Sequence, residues 1–396
     1  MKFSNAYIPC GFAWSSPFVK WQGSLADVSS MDLASLVTRD ALDERGYDPG
    51  QLDRMVLGTT IPQQNSFYAV PWIAARIGAD GITGPHIQQA CATSPVCLAE
   101  AATNLECDAA QTILVLTADR TSNGPTVIYP QTRSMGGSPR VENWVLDSFA
   151  ADPNTGKAMI MTADNVAAEA GFSAQALNDV TLLRWQQYES SLADDRVFQK
   201  RYMQPVKIPG RKGQVMQISA DEGVSGYSAE GLAGLKPAAG GVVTMGMQTH
   251  PADGSAGAIV CSEVKARELS NGNGVVRVIA AGFGRAAKAE MPKAPVLAAD
   301  KALAAAGLGY DDLKLINTHN PFAVNDLWFE KQTGFDLEKT NRYGCSLIYG
   351  HPQGPTGLRS IAELIEALKD AGGGLGMFTG CAAGDTGAAL IIEVLD

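Results

Sequence analysis

The stretch ALDERGYDPGQLDRMVLG, residues 41–58, lies on ALAAAGLGYDDLKLINTH, residues 302–319, with a constant offset: Ala41 on Ala302, Gly46 on Gly307, Leu52 on Leu313. Each copy reads as the end of a helix, a loop and then an apolar strand. A second pair follows in the same order and at nearly the same offset. CATSPVCL from Cys91 falls on HPQGPTGL from His351, matching Pro95 with Pro355 and Leu98 with Leu358. Either match alone is weak; two in register argue for a duplicated domain.

Outward from these segments, short apolar runs such as Val275 to Ala280 and Leu390 to Val394 alternate with helical patterns such as Leu33, Leu36, Val37, Ala41. That alternation predicts an α/β protein built in layers. The halves are expected at residues 1–262 and 263–396, with an insertion of about 120–243 in the first. The insertion is rich in Arg, Asn, Gln and Pro, and SAQALNDVTLLRWQQYESSLADDRVFQKRY within it reads as an amphipathic helix. An insertion after a strand is expected to supply a lid or a substrate surface.

The 396 residues are 45% apolar and 18% charged, with 31 basic against 41 acidic side chains and a formal charge of −10. Such a surface disfavours nucleic acid. No run reaches the roughly 18 apolar residues of a spanning helix, and Met1 to Lys20 lacks the pattern of a secretory leader. The expected address is the cytoplasm, with no membrane association. Seven cysteines, odd in number and without CxxC pairs, are expected to be reduced thiols and no metal site.

Four reactive side chains fall in glycine-rich turns beside apolar strands: Cys91 in QQACATSP, His319 in INTHNPFAVNDL, His351 in YGHPQGPTG and Cys381 in FTGCAAGDTG. Cys91 and His351 hold equivalent places in the two halves, each at an expected helix start, so a pseudo-twofold axis brings them together. A helix N-terminus and an adjacent imidazole are both expected to lower the thiol pKa. This pattern points to cysteine-dependent acyl transfer. Cys10, Cys97, Cys107, Cys261 and Cys345 read as small core fillers, and His86 and His250 as structural histidines.

NRYGCSLIYGHPQGPTGLR (residues 341–359) resembles the Gly-His-Pro signature of thiolases, and CAAGDTGAALIIE (residues 381–393) is similar to their C-terminal Cys signature. GTTIPQQNSFYAVPWIAARIG from Gly58 and TADNVAAEAG from Thr162 extend the resemblance over nearly the whole chain. It implies the thiolase fold, two βαβαβαββ halves in five α-β-α-β-α layers with an inserted loop domain. The implied reaction is thiolysis of a 3-oxoacyl-CoA, or the reverse Claisen condensation, through an acyl-cysteine. Cys91 would be the nucleophile, His351 its base and Cys381 the acid for the departing enolate. His319 would hydrogen-bond the enolate oxygen, with the backbone N–H groups of Cys91 and Ala383 serving the tetrahedral intermediate. Gly384, Asn320, Phe322, Met247 and Thr249 are expected around the oxyanion and substrate, and Arg211 and Lys212 at the CoA phosphates. Coenzyme A is implied as substrate, with no metal and no permanently bound cofactor, in a homodimer or tetramer.

Departures from the common pattern refine this. His319-Asn320-Pro321-Phe322 replaces Asn-Glu-Ala-Phe and is closer to the His-Asp-x-Phe of sterol-carrier-protein-like thiolases. Ala158-Met159-Ile160 stands where many relatives carry His-Met-Gly, GMQTHPADG replaces GNASGxxDG, and SADEGVSGY lacks a basic residue used near the CoA nucleotide. These changes suit a bulky, branched or aromatic acyl group such as benzoylsuccinyl-CoA, handled with a small zinc-ribbon/OB-fold subunit. Two other readings stay open: a ketosynthase-like condensing enzyme using Cys91, His319 and His351, and a non-catalytic acyl-CoA-binding subunit.

Overall fold

The computed structural model describes residues 1–133, 135–209 and 214–396. The first half runs β1 (Tyr7–Pro9), α1 (Ser30–Glu44), β2 (Arg54–Gly58), α2 (Ala69–Ile77), β3 (His86–Ile87), α3 (Thr93–Glu106), β4 (Thr112–Arg120). After an insertion carrying α4 (Trp144–Ala150), α5 (Met159–Ala170) and α6 (Ala174–Ser191), β5 (Ala252–Cys261) closes it. The second half runs β6 (Val275–Arg285), α7 (Ala294–Ala306), β7 (Leu315–His319), α8 (Ala323–Thr333), α9 (Pro355–Asp370), β8 (Gly374–Ala382) and β9 (Thr386–Leu395).

The duplication is visible in the pairing. β2 is parallel to β3 and β4, and β4 is antiparallel to β5; β7 is parallel to β8, and β8 antiparallel to β9. The counterpart of β3 in the second half has shrunk to a single parallel bridge between Ile316 and Thr340. Gly46 and Gly307, matched in the repeat, both adopt left-handed backbone (φ +61° and +75°) where α1 and α7 end, a conformation glycine takes without a Cβ penalty. β1 pairs with both β5 and β6, joining the half-sheets into one eleven-stranded sheet among the described residues.

The layers follow from where apolar side chains can hide. α1 and α2 cover one face of the first half-sheet, packing Leu33, Val37, Val70 and Ile73 on Met55, Leu57, Leu114 and Leu116. α7 covers the outer face of the second, with Ala298, Ala302 and Leu303 against Ile391 and Met377. α3 and α9 lie between the half-sheets and contribute to one core with both. A helix sandwiched in this way must be apolar or small on all sides, and α9 is buried from Pro355 to Leu368. Its Arg359 is accommodated by pairing: both guanidinium nitrogens reach Asp221 (2.6 and 2.8 Å), Glu363 lies at 3.2 Å, and the plane packs between Tyr349 and Phe18. Asp221 belongs to the SADEGVSGY segment, so that segment is tied to the core.

The helix expected over residues 173–202 is shorter. Ser173 caps α6 by accepting from the Ala176 N–H, but Asp194, Asp195 and Arg196 have positive φ and break it after Ser191. No helix among the described residues is long and apolar enough to cross a membrane.

Candidate active site

The pseudo-twofold brings the ends of the first and second halves together at Cys91. The turn that carries Cys91, Ala90–Ala92, precedes α3 and packs on Ala382 and Ala388, whose small side chains admit it. Ala90 is held at φ +44°, a strain of roughly 1–3 kcal/mol of the kind found where a reactive residue is presented. Cys91 Sγ lies 3.0 Å from His351 Nε2. His351 Nδ1 is bonded to Thr356 Oγ1 at 2.6 Å, which fixes the ring. Gln353 Oε1 is a second acceptor for the Cys91 thiol, at 3.3 Å.

His319 stacks on His351 with ring centroids 4.1 Å apart and planes at 28°. Its Nδ1 is bonded to Ser346 Oγ at 2.8 Å, while its buried Nε2 has no hydrogen-bond partner. Gly380 makes this possible. It is paired with His319 in the parallel register of β7 and β8, and a Cβ there would lie 2.7 Å from that of His319. Cys381, one residue on, is buried in the same cluster as Phe322 and Met291 and accepts from Asn325 Nδ2 at 3.3 Å. Ala383 lines the cavity, and the turn that presents it passes through Gly384 at φ +78°.

The electrostatics correct one expectation. Burial pushes the Cys91 thiol up to about 12, although the backbone N–H groups of Ala383 and of Cys91 itself pull it down. α3 begins only at Thr93, so desolvation outweighs any help from the helix end. Burial lowers His319 to about 3 and, together with His319, holds His351 well below the usual imidazole range. Burial and the neighbouring Cys91 raise Cys381. The resting site is therefore a neutral set of two thiols and two imidazoles. Charge must be created during the reaction, beside donors already in place.

Cys91 Sγ and nitrogens of His319 and His351 lie within 4.8 Å of one another. The cluster is arranged for proton transfer.

Cys91, His351 and Ala383, with Phe322 and Thr249, open onto one cavity of about 680 Å³. Its far wall comes from the insertion: Trp144 and Phe149 of α4, Ala158-Met159-Ile160 before and at the start of α5, and Tyr227. His250, read from the sequence as structural, also lines it. Three expected substrate residues do not line it: Gly384 stays in the turn beside Ala383, and the other two are elsewhere. Asn320 is fully buried, bonded to Asp326, Cys345 and the Leu347 N–H, because Asp326 is itself anchored by Arg184 in a buried pair at 3.1 Å. Met247 points into the core, its sulfur accepting from the Thr244 N–H, and Met245 takes the cavity wall instead. Arg211 and Lys212 lie outside the described residues. All seven cysteines are free, and Cys107 is exposed rather than a core filler because it caps the C-terminus of α3 at the surface.

Asp119, absent from any sequence argument, closes the site from behind. At the end of β4 it is fully buried and accepts from Thr60 N (2.7 Å), Thr60 Oγ1, Ile61 N and, across the halves, Gly354 N (2.8 Å). It thereby fixes the loop that carries His351 and Gln353.

A duplicated five-layer α/β fold with a Cys–His pair and backbone donors at the sulfur is an arrangement that suits a cysteine acyltransferase. The comparisons make this specific. The family model for the thiolase N-terminal domain matches residues 13–264, and that for the C-terminal domain residues 274–394. The acetyl-CoA acetyltransferase of Escherichia coli K12 is 29% identical over 382 residues, covering 95% of this chain and 96% of that one. The acetyl-CoA acetyltransferase structure of Bacillus anthracis superposes with a TM-score of 0.91 at 27% identity, covering both chains fully. Human mitochondrial 3-ketoacyl-CoA thiolase in complex with CoA gives 0.89 at 25%, covering 100% and 99%. The chain belongs to the thiolase family and is an acyltransferase.

Proposed function

We propose that the protein cleaves a 3-oxoacyl-CoA with coenzyme A, or runs the reverse Claisen condensation, and that its acyl group is bulky and largely apolar. The 3.0 Å contact between Cys91 Sγ and His351 Nε2 carries the reading. His351 takes the thiol proton, and the sulfur attacks the 3-oxo carbon. The Cys91 and Ala383 N–H groups stabilise the resulting oxyanion. The bond between carbons 2 and 3 then breaks with its electron pair passing to the enolate, which His319 Nε2–H stabilises and Cys381 protonates. The thiol of coenzyme A gives its proton to the Cys381 thiolate and attacks the acyl-cysteine. His351 returns its proton to the departing Cys91.

The ketosynthase-like alternative needs only Cys91, His319 and His351; the buried Cys381 held by Asn325 favours the thiolase reaction. Support for a bulky acyl group comes from the cavity wall, where Met159, Ile160, Trp144 and Phe149 present apolar surface. Incubation with CoA and a panel of 3-oxoacyl thioesters tests both parts. Turnover should rise from acetoacetyl-CoA to aromatic or branched substrates; a preference for acetoacetyl-CoA would refute the specificity, and no cleavage of any member would refute the activity.

His319 is the enolate donor in this scheme. His319→Ala should lose roughly a hundred- to a thousandfold in kcat, the usual cost of one oxyanion donor, and His319→Asn should recover part of it. Burial makes some fall in Tm unavoidable for alanine, so kcat is to be measured well below both melting points. Normal kcat in the folded fraction would make His319 a packing residue.

The proposed dimer contact is the free edge of β3 together with exposed Phe67, Tyr68 and Trp72. Buried in a partner, such an apolar patch is explained. Light scattering should give a dimer that Phe67→Asp weakens.

A further inference from the structure

Gln353 stands between His351 and the start of α9 in a left-handed conformation, φ +65°. A side chain larger than glycine is held there only when its surroundings fix it. They do: Gly354 N is bonded to Asp119, and the Thr356 N–H to the Gln353 carbonyl. The side chain lines the cavity, with Oε1 3.3 Å from Cys91 Sγ, while Sγ is 3.0 Å from His351 Nε2. One carbonyl oxygen therefore sits beside the sulfur that His351 faces, within reach of the same proton.

We propose that Gln353 is a catalytic residue whose side-chain carbonyl receives the His351 Nε2–H bond once Cys91 has been consumed as a nucleophile. In the first step the S–H bond breaks, its electron pair stays on sulfur and the proton binds Nε2. While the thiolate persists, it accepts the new N–H. When that electron pair forms the sulfur–carbon bond, the acceptor is lost, and a buried charged donor would be orphaned.

The other titratable groups near the pair are engaged elsewhere. His319 presents its ring face to His351. Asp119 is occupied by Thr60, Ile61 and Gly354, and Cys381 is held by Asn325. Gln353 Oε1 needs only to exchange the thiol proton for the imidazolium one. In keeping with this, its contact with His351 favours the protonated ring.

The inference rests on Cys91 being the nucleophile, so its test separates the two. Iodoacetamide consumes the thiolate and leaves the same imidazolium behind without any acyl substrate. Alkylation of Cys91, followed by intact mass from pH 6 to 10, is compared in the wild type, Gln353→Leu and Gln353→Asn, whose shorter side chain withdraws the carbonyl. Both variants should react about tenfold or more slowly near neutrality, and the wild-type advantage should shrink at high pH, where the thiolate forms without an imidazolium. In turnover, kcat should fall with KM unchanged. A residue that only shapes the loop would lower Tm and leave the alkylation profile of the folded protein where it was. Unchanged or faster alkylation in a folded variant overturns the proposal. A wild-type protein that is not alkylated at Cys91 overturns the nucleophile assignment instead. Two variants of different size keep the comparison available if one does not fold.

Discussion

Cys91→Ser should abolish turnover, by a thousandfold at least on the order seen when a nucleophile is removed from a cysteine or serine acyltransferase site, while leaving the fold intact. The reason is more specific than the loss of a good nucleophile. Burial already holds the Cys91 thiol up to about 12 and His351 well below the usual imidazole range, so the proton transfer between them is uphill even with sulfur. A serine hydroxyl is a far weaker acid than a thiol, and the same neutral surroundings would have to bear a worse charge separation. The substitution keeps the side chain's shape, and Cys91 sits at the cavity rather than in the packed core, so the melting temperature should hardly move. The checks are kcat with a cleavable 3-oxoacyl-CoA and intact mass after exposure to an acyl-CoA. Turnover above about one part in a hundred, or acylation elsewhere on the chain, would remove Cys91 from the mechanism.

The duplication was legible because it leaves local marks. A left-handed glycine after α1 and another after α7, followed by a buried leucine in each copy, Leu52 and Leu313, are requirements of chain geometry that a sequence must write down. The four candidate residues were legible for a similar reason, since turns and strand ends carry unusual residue types: Cys91 and His351 do stand outside the strands, whereas His319 and Cys381 belong to the last residues of β7 and β8 rather than to the turns expected for them. What the sequence hid is what depends on contacts across the two halves. Asp119 looks like an isolated acid after an apolar strand, and its meaning lies in the Gly354 N–H, far along the chain. Gln353 sits inside a quoted motif, yet nothing local says that its carbonyl meets Cys91. Asn320 follows His319 and looks equally available, but Asp326 draws its amide into the buried network. The thiol's direction of shift failed on the same ground: a helix start can be read from sequence, whereas desolvation is a property of the assembled site.

The proposed mechanism also divides the labour between two cysteines, and the division can be measured. Cys381 is pushed up by burial and by Cys91, so it remains a protonated thiol at ordinary pH, which suits an acid that must deliver a proton to carbon. Cys91 has both His351 and the backbone N–H groups at its sulfur, whereas Cys381 has Asn325 and no imidazole bond. Acylation of Cys91 by a simple acyl-CoA makes and breaks only carbon–sulfur bonds and needs the first set. Cleavage or formation of the bond between carbons 2 and 3 needs the second as well. Cys381→Ala should therefore still be acylated at Cys91 at a rate within about tenfold of the wild type, while losing on the order of 10²- to 10⁴-fold in carbon–carbon bond chemistry, the range for a general acid. The alanine removes one buried atom and leaves the Asn325 amide without its sulfur, so a small fall in Tm accompanies the change without accounting for it. Intact-mass acylation and 3-oxoacyl-CoA cleavage on the same preparation give both rates. Equal loss of the two would mean that Cys381 supports Cys91 rather than the enolate, and the acid would have to be sought in His351.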